Sequence, residues 1–257
     1  MSDRPETARR GHLPALGLSV AAAAAFAWLV SQQHLWAVGL GKLFPASSLP
    51  PGTSAVYATP LVDLTVQHIA IVAASSALTI AVGLPLGIWV TRPSGRDFRD
   101  IVAATVDFGQ TFPPVAVLAL LVASLGFGFG PAVIALFLYG LFPVVSSTVA
   151  GIDAVSSAVV DAATGIGLGR GRILLTIELP LAARVIMGGI RTSVIINVGT
   201  ATVAAAVAAG GLGEPILNGI NIQNTAWILE GALAAGLLAV VVDQLIARVE
   251  DLVTPDV

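Results

Sequence analysis

The sequence predicts an all-α membrane protein with six transmembrane helices and both termini in the cytoplasm, and three observations lead to this prediction. Charged residues form only 11% of the 257 residues, hydrophobic residues form 56%, and the mean hydropathy is +0.92. A soluble domain of this length usually has about a quarter of charged residues, because its surface faces water. The apolar residues form runs of membrane-spanning length, and the basic residues fit one topology. Lipid must therefore cover much of the surface.

Six apolar runs define the spans. A bilayer core of about 30 Å needs roughly 20 mostly apolar residues in a helix. The runs occupy residues 14–31, 66–90, 104–125, 131–150, 186–208 and 226–246. The third and fourth belong to a stretch without charges between Asp107 and Asp153, which is too long for one helix. Three glycines and a proline between Gly126 and Pro131 predict a turn that separates these two spans.

The basic residues set the orientation. With the amino terminus inside, eleven of the twelve Lys and Arg residues are cytoplasmic and only Lys42 is outside, as the positive-inside rule requires. This topology assigns residues 1–13 and 247–257 to cytoplasmic tails and residues 32–65 to an extracytoplasmic loop. A cleaved secretory signal is the alternative for the first span. That run is long for a signal, however, and its removal would leave an odd number of spans.

The composition excludes several kinds of site. The chain has no cysteine, which rules out disulfides, thiolate zinc sites and iron–sulfur clusters. A net charge of -3 without clusters of Lys and Arg argues against nucleic acid as a partner. The three histidines are scattered without metal-ligand spacing, and we expect them in loops or at helix ends. Because no G-x-x-x-x-G-K-[ST] motif is present, any ATP must be hydrolysed by another chain, and we expect no cofactor on this one.

The connection between the fourth and fifth spans, residues 151–184, is the longest on the cytoplasmic side and carries a motif. Its fixed positions are Asp161, Ala162, Ala163, Gly167, Ile177, Leu179 and Pro180. We expect a short helix that begins at Asp161, because an acid is favourable in a first helical turn. Gly167 permits a sharp turn, and a second helix from Arg172 to Glu178 should stop at Pro180. The sequence thus predicts a helix–turn–helix on the cytoplasmic face.

The spacing of this motif resembles the "EAA" loop of permease subunits in binding-protein-dependent ABC importers, with Asp161 in place of the usual glutamate. The resemblance covers about residues 64–246. It is closest to permeases for osmoprotectants and quaternary amines, namely glycine betaine, carnitine, choline and proline. Residues 83–87, 110–113 and 210–213 are among the segments that carry it. The chain departs from the pattern at Ser146-Ser147 and at Phe112-Pro113-Pro114.

This resemblance implies a fold and a set of partners. The fold is the transmembrane domain of a type I ABC importer, with a permease core at residues 66–246 in the cell membrane. Residues 151–184, named the coupling loop from here on, would dock into a groove of an ATPase subunit, which would bind ATP and Mg. The other implied partners are a second copy of this permease or a related permease, and an extracytoplasmic binding protein that selects the solute.

Other functions are weighed against this one. An ABC permease for another small solute, such as an amino acid, would have the same features. A secondary transporter would need an internal repeat or intramembrane charges, and 257 residues are few for the common repeat designs. An intramembrane enzyme would need a catalytic group of residues within the spans, and no Ser/His or H-E-x-x-H pattern occurs there.

Polar or aromatic side chains within the predicted spans are candidates for a translocation path. These candidates are Gln110, Phe112, Asn197, Thr200 and Glu230. Polar groups in hydrocarbon need partners, so they should face other helices or a water-filled path. Hydrogen bonds between helices are the alternative explanation. Pro113-Pro114 should break the third span, and broken helices at membrane depth line cavities. Asp107 or Glu230 would attract a cationic amine, with Phe108 and Phe112 adding cation–π attraction.

Overall fold

A computed structural model describes residues 6–254 of the chain, with side chains from residue 17 onward. The described residues form helices and connections without strands. Eleven α-helices follow one another in this range: α1 (Glu6–Ser31), α2 (Gln33–Leu43), α3 (Leu61–Thr91), α4 (Arg99–Thr111), α5 (Pro114–Leu125), α6 (Phe129–Asp153), α7 (Ser157–Gly165), α8 (Arg170–Ile173), α9 (Leu179–Thr200), α10 (Gly213–Ile222) and α11 (Thr225–Val253). The predicted all-α fold is confirmed.

The long apolar helices coincide with the second to sixth predicted spans. Among the described residues, α3, α6, α11 and the continuous helical stretch Arg170–Val207 are long and apolar enough to cross a membrane. The stretches Arg96–Thr111 and Pro114–Leu125 meet at an angle of 98°, and together they are long and apolar enough to form one broken span or a re-entrant loop. The first predicted span falls on α1, whose side chains are described from Gly17 onward. The count of six and the location of the termini remain predictions. The side chains of residues 1–13 and all of residues 255–257 lie outside the described part.

Helix α3 packs against α6 through small residues in the middle of the fold. A Cβ atom placed on Gly83 would lie 3.1 Å from Cγ1 of Val144, and one on Gly87 would lie 2.7 Å from Cβ of Thr148. Gly83 and Gly87 therefore form a GxxxG pair that brings two helices into close contact, as small residues do in lipid. Helix α9 packs on both α3 and α6, and α11 packs on α9. The buried residues therefore form one main apolar core, which includes Leu136.

The bend and the turn within the third and fourth predicted spans occur where prolines and glycines predict them. Helix α4 ends at Thr111 and α5 begins at Pro114, with Phe112 and Pro113 in extended conformation. The chain then turns between α5 and α6 with a φ angle of +81° at Gly126, a backbone conformation that glycine adopts without strain. Both predictions are confirmed.

The predicted extracytoplasmic loop 32–65 contains more helix than expected. Helix α2 occupies Gln33–Leu43, and α3 begins at Leu61 rather than at residue 66. Trp36 and Leu40 are buried in the apolar core, and the indole Nε1 of Trp36 donates to the carbonyl of Leu29 at 3.1 Å. Burial of these side chains stabilises a helix too short to be stable alone. Describing the whole segment as a loop was therefore wrong for its first part.

Candidate coupling loop and translocation residues

The first half of the coupling loop is a helix closed by a glycine turn. Helix α7 contains Asp161, Ala162 and Ala163, of which the first two are exposed and the third is buried. After the helix, Leu168 N–H donates to the carbonyl of Ala163 at 3.1 Å. Gly167 N–H donates to the carbonyl of Thr164 at 2.9 Å. These two hydrogen bonds form a Schellman motif, in which Gly167 takes the left-handed position with φ +85°. The predicted turn at Gly167 is confirmed.

The start of this helix was predicted four residues too late. Helix α7 begins at Ser157, after Ser156, whose backbone is extended and whose carbonyl accepts from the amides of Val159 and Val160 at 3.1 and 3.3 Å. Asp161 thus lies mid-helix on an exposed face rather than in the first turn. The side chain of Ser156 makes no capping hydrogen bond, so the preference for serine before a helix does not by itself explain this boundary.

The second half of the coupling loop does not stop at Pro180. Helix α8 continues through a π turn at Leu174–Glu178 directly into α9, which carries Pro180 in its first turn. Leu179 N–H donates to the carbonyl of Leu174, five residues back. Proline is tolerated in a first helical turn, where its missing N–H needs no partner. The wider π turn lets the chain pass Pro180 without ending the helix, so the predicted stop was wrong. Ile177, Leu179 and Pro180 are all partly buried at this junction.

Two ion pairs lie near the two ends of the coupling loop, and no local motif predicts either. Glu178 is only 8% exposed, and its Oε2 accepts from Nη1 of Arg92, at the end of α3, at 2.6 Å. Asp153, the last residue of α6, pairs with Arg99, the first residue of α4. Arg92 and Glu178 are 86 residues apart in the chain, and Arg99 and Asp153 are 54 residues apart. A local motif search cannot connect residues at such separations.

Gln110 and Phe112 meet at the break between α4 and α5. Nε2 of Gln110 donates to the carbonyl of Tyr139 at 2.6 Å, and the hydroxyl of Tyr139 donates to the carbonyl of Phe112. Tyr139 of α6 therefore contacts the last turn of α4 through Gln110 and the break itself through Phe112. The Phe112 ring is exposed and contacts the ring of Phe108 edge to face, with centroids 5.0 Å apart. Tyr139 is the residue of this group that sequence reasoning missed.

Asn197 lies deep between α9 and α3. Its side chain is 0% exposed, and Nδ2 donates to the hydroxyls of Ser75 and Ser76 at 3.3 and 3.2 Å. Its Oδ1 is buried without a hydrogen-bond partner among the described residues. Thr200, three residues further along α9, is partly buried. Asn197 thus joins two helices by hydrogen bonds in the present conformation.

Glu230 is buried far from the other candidates, at the start of α11. It is 1% exposed, and its Oε2 accepts from the backbone N–H of Tyr57 at 2.7 Å. Asn224 caps α11 with its Oδ1 and donates through Nδ2 to the carbonyl of Ser54 at 3.2 Å. Glu230 therefore anchors the segment before α3 onto α11. The five candidates for a path are not brought to one place, and their part in translocation remains a prediction.

Asp107 lines a cavity of about 280 Å³ between α3, α4 and α6, together with Arg99, Phe142 and Ser146.

His68, which we expected in a loop or at a helix end, is instead fully buried within α3. Its Nε2 lies 2.9 Å from the carbonyl of Val198, and its Nδ1 accepts from Leu212 N–H at 3.3 Å. Among the described side chains, no three His, Cys, Asp or Glu residues form a group that could hold a metal ion.

Comparisons with known proteins agree on one family. Residues 83–257 match the family described as binding-protein-dependent transport system inner membrane component. The osmoprotectant import permease protein OsmY of Salmonella typhimurium is 39% identical over 181 residues, which cover 70% of this chain and 77% of that protein. The choline transport system permease protein OpuBB of Bacillus subtilis is 38% identical over 191 residues, 74% of this chain and 87% of that protein.

A third relative and a solved structure extend this comparison. The glycine betaine/carnitine/choline transport system permease protein OpuCB of Bacillus subtilis is 37% identical over 74% of this chain and 86% of that protein. A chain of the MetNI methionine ABC transporter, in an inward-facing conformation, superposes with a TM-score of 0.68. It covers 76% of this chain and 96% of its own length at 21% identity, so it bears on the fold alone.

Proposed function

Because this chain belongs to the family of binding-protein-dependent transport system inner membrane components, we propose that it passes a compatible solute of the glycine betaine, choline, carnitine or proline type through the membrane. The chain is a multi-pass membrane permease subunit with the fold of a type I ABC importer. Members of this family are not enzymes, and ATP hydrolysis resides on a separate subunit.

The observation that carries the substrate class is the set of relatives. Three proteins of 37–39% identity are named for osmoprotectants, choline, or glycine betaine, carnitine and choline. The family match over residues 83–257 includes the coupling loop. These relatives make another small solute, such as an amino acid, the weaker alternative.

Uptake measurements test the substrate class. The chain would be reconstituted in proteoliposomes with its ATPase, its partner permease and its binding protein, with ATP inside. We expect ATP-dependent accumulation of at least one labelled quaternary amine or proline, and none without the binding protein. Transport restricted to an unrelated amino acid or an organic anion would refute the substrate class and leave the importer assignment standing.

We also propose that the coupling loop binds the ATPase, which carries ATP and Mg. Its outward surface supports this role, because large apolar side chains stand exposed there. Ile166 is 79% exposed and Leu175 is 67% exposed, beside the exposed Asp161 and Ala162. Exposed apolar side chains rimmed by polar ones are typical of protein interfaces.

The proposed complex contains two permease subunits, either two copies of this chain or one copy with a related permease. An extracytoplasmic binding protein would deliver the solute to the outer side. Purification of the complex after co-expression with each candidate permease, followed by native mass spectrometry, distinguishes the homodimer from the heterodimer. A stable, transport-competent complex with a single permease copy would refute this arrangement.

A further inference from the structure

Both ends of the coupling loop are tied to one short connection of the chain. Asp153 precedes α7 and pairs with Arg99, while Glu178 precedes α9 and pairs with Arg92. Arg92 directly follows α3 and Arg99 begins α4, so the two arginines stand at the two ends of the connection between these helices. We name these four residues the inner bracket. The exposed residues that we propose to face the ATPase, Asp161, Ala162, Ile166 and Leu175, lie between its two acidic members.

The connection between the two arginines is stiff. The rings of Trp89 and Phe98 stack with centroids 5.4 Å apart and an interplanar angle of 26°. Gly95 is buried so tightly that a Cβ atom there would lie 2.3 Å from the carbonyl oxygen of Trp89. Its amide also donates to the carbonyl of Arg92 at 3.0 Å. Because the connection is folded upon itself, a displacement of one arginine is passed to the other.

The two ion pairs of the bracket differ in strength. The side chains of Arg92 and Glu178 are 26% and 11% exposed, whereas those of Arg99 and Asp153 are 41% and 43% exposed. Solvent weakens an exposed pair, so the second contributes little on its own. Removal of one partner from a desolvated pair leaves the other charge buried and unpaired, which is strongly unfavourable. The ion pair of Arg92 with Glu178 therefore holds the coupling loop to the connection between α3 and α4 more strongly than the pair of Arg99 with Asp153 does.

The inner bracket is connected through α4 to the break in the third predicted span. Arg99 starts α4, and α4 ends at the break that Tyr139 holds through Gln110 and the Phe112 carbonyl. Movement of the coupling loop thus reaches α4 by a route separate from α9, which is continuous with the loop through the π turn. We propose that the inner bracket transmits movement of the coupling loop to α4, with Arg92 as a positioning residue. This proposal rests on the coupling role proposed above.

The test uses the complete transporter in proteoliposomes, with three variants compared with the unmodified chain. Arg92→Gln removes one charge of the pair. Arg92→Glu/Glu178→Arg reverses the pair. Arg96→Gln is the matched control, because Arg96 lies exposed on the same connection and forms no ion pair among the described residues. Three quantities are measured, namely co-purification with the ATPase, the ATPase rate with loaded binding protein, and solute taken up per ATP.

We expect Arg92→Gln to co-purify with the ATPase and to hydrolyse ATP, while uptake per ATP falls about tenfold, within the range of coupling between distant sites. The reversed pair should regain most of that loss, and Arg96→Gln should match the unmodified chain. Unchanged uptake per ATP in Arg92→Gln, or an equal loss in Arg96→Gln, would overturn the proposal. Loss of ATPase binding in Arg92→Gln would overturn it too, because it would assign Arg92 to docking instead of transmission.

A second measurement keeps the test decisive if the charge variants fail to fold. The chain has no cysteine, so within it Arg92→Cys/Glu178→Cys can be bridged specifically by a bifunctional methanethiosulfonate, whose two disulfide links a reducing agent cleaves. Uptake should be higher with the bridge than after its reduction. Inhibition by the bridge would overturn the proposal, because the pair would then have to open during transport. Failure of the proposed coupling role would look different, because ATPase binding would then not depend on the coupling loop.

Discussion

Replacement of Gly167 by alanine probes the coupling loop with a change whose cost can be worked out. Gly167 has φ +85° and closes the Schellman motif of α7. No atom lies within 4 Å of an added Cβ, so steric overlap with neighbours contributes nothing. The cost is conformational, since a residue with a Cβ loses about 1–2 kcal/mol in left-handed backbone. A free energy of this size changes an equilibrium by a factor of about 5–30.

The variant should therefore bind the ATPase more weakly, because part of the binding free energy must restore the turn. Affinity of the purified permease complex in nanodiscs for the ATPase would be measured by biolayer interferometry, together with uptake in proteoliposomes. We expect Gly167→Ala to weaken binding by about 5–30-fold. Gly167→Asn should lose less, because asparagine tolerates left-handed backbone better than alanine.

Gly165→Ala is the matched control. Gly165 ends α7, is exposed, and has no atom within 4 Å of an added Cβ. In helical backbone the same chemical change is favourable, by about 1 kcal/mol at most. Binding by Gly165→Ala should equal or exceed that of the unmodified chain. Equal affinities for the two alanine variants would refute the reasoning, because the left-handed turn would then be irrelevant to docking.

Three further substitutions have defined expectations. Tyr139→Phe removes the hydroxyl that donates to the carbonyl of Phe112 in the break. It should lower the free energy of unfolding by about 1 kcal/mol and speed amide hydrogen exchange there, whereas Tyr57→Phe should leave the exchange near the break unchanged. Asn197→Leu should lower thermal stability in detergent by more than Thr200→Val, because it removes the donor to the hydroxyls of Ser75 and Ser76. Ser75 keeps its bond to the carbonyl of Val72, so we expect a cost of about 1–3 kcal/mol for the one hydroxyl, that of Ser76, that loses its bond. Glu230→Gln keeps an acceptor for the amide of Tyr57, so its melting temperature should stay near that of the unmodified chain. Glu230→Leu should have a clearly lower melting temperature. Equal melting temperatures of the two variants would contradict the anchoring role.

The membrane helices could be predicted because their signals are local. Apolar runs, the prolines before α5 and the glycines before α6 each act within a few residues of their position. Their effect is the same whatever the rest of the fold does. The same holds for Gly167, whose turn depends on backbone hydrogen bonds to Ala163 and Thr164. For these elements the sequence contains the physical cause in one place.

The features that sequence reasoning missed depend on distant partners. Helix α2 is stabilised by burial of Trp36 and Leu40 in a core that other helices build. His68 is buried because the carbonyl of Val198 and the amide of Leu212 come to its two nitrogens from other parts of the fold. Arg92 and Glu178 pair across 86 positions. A translocation path is likewise a property of the assembled helices, so local residue patterns do not locate it.

The π turn at Leu174–Glu178 fixes the angular phase between the two ends of one continuous helical stretch. A π turn holds one residue more than the α-helical turn that it replaces. One residue of α-helix corresponds to about 100° of rotation around the axis. Without the extra residue, the face that α8 presents outward would rotate by that angle relative to the face that α9 presents to α6. The inserted residue thus lets one sequence satisfy the proposed ATPase interface of the coupling loop and the packing surface of α9 against α6, each with its own helical register.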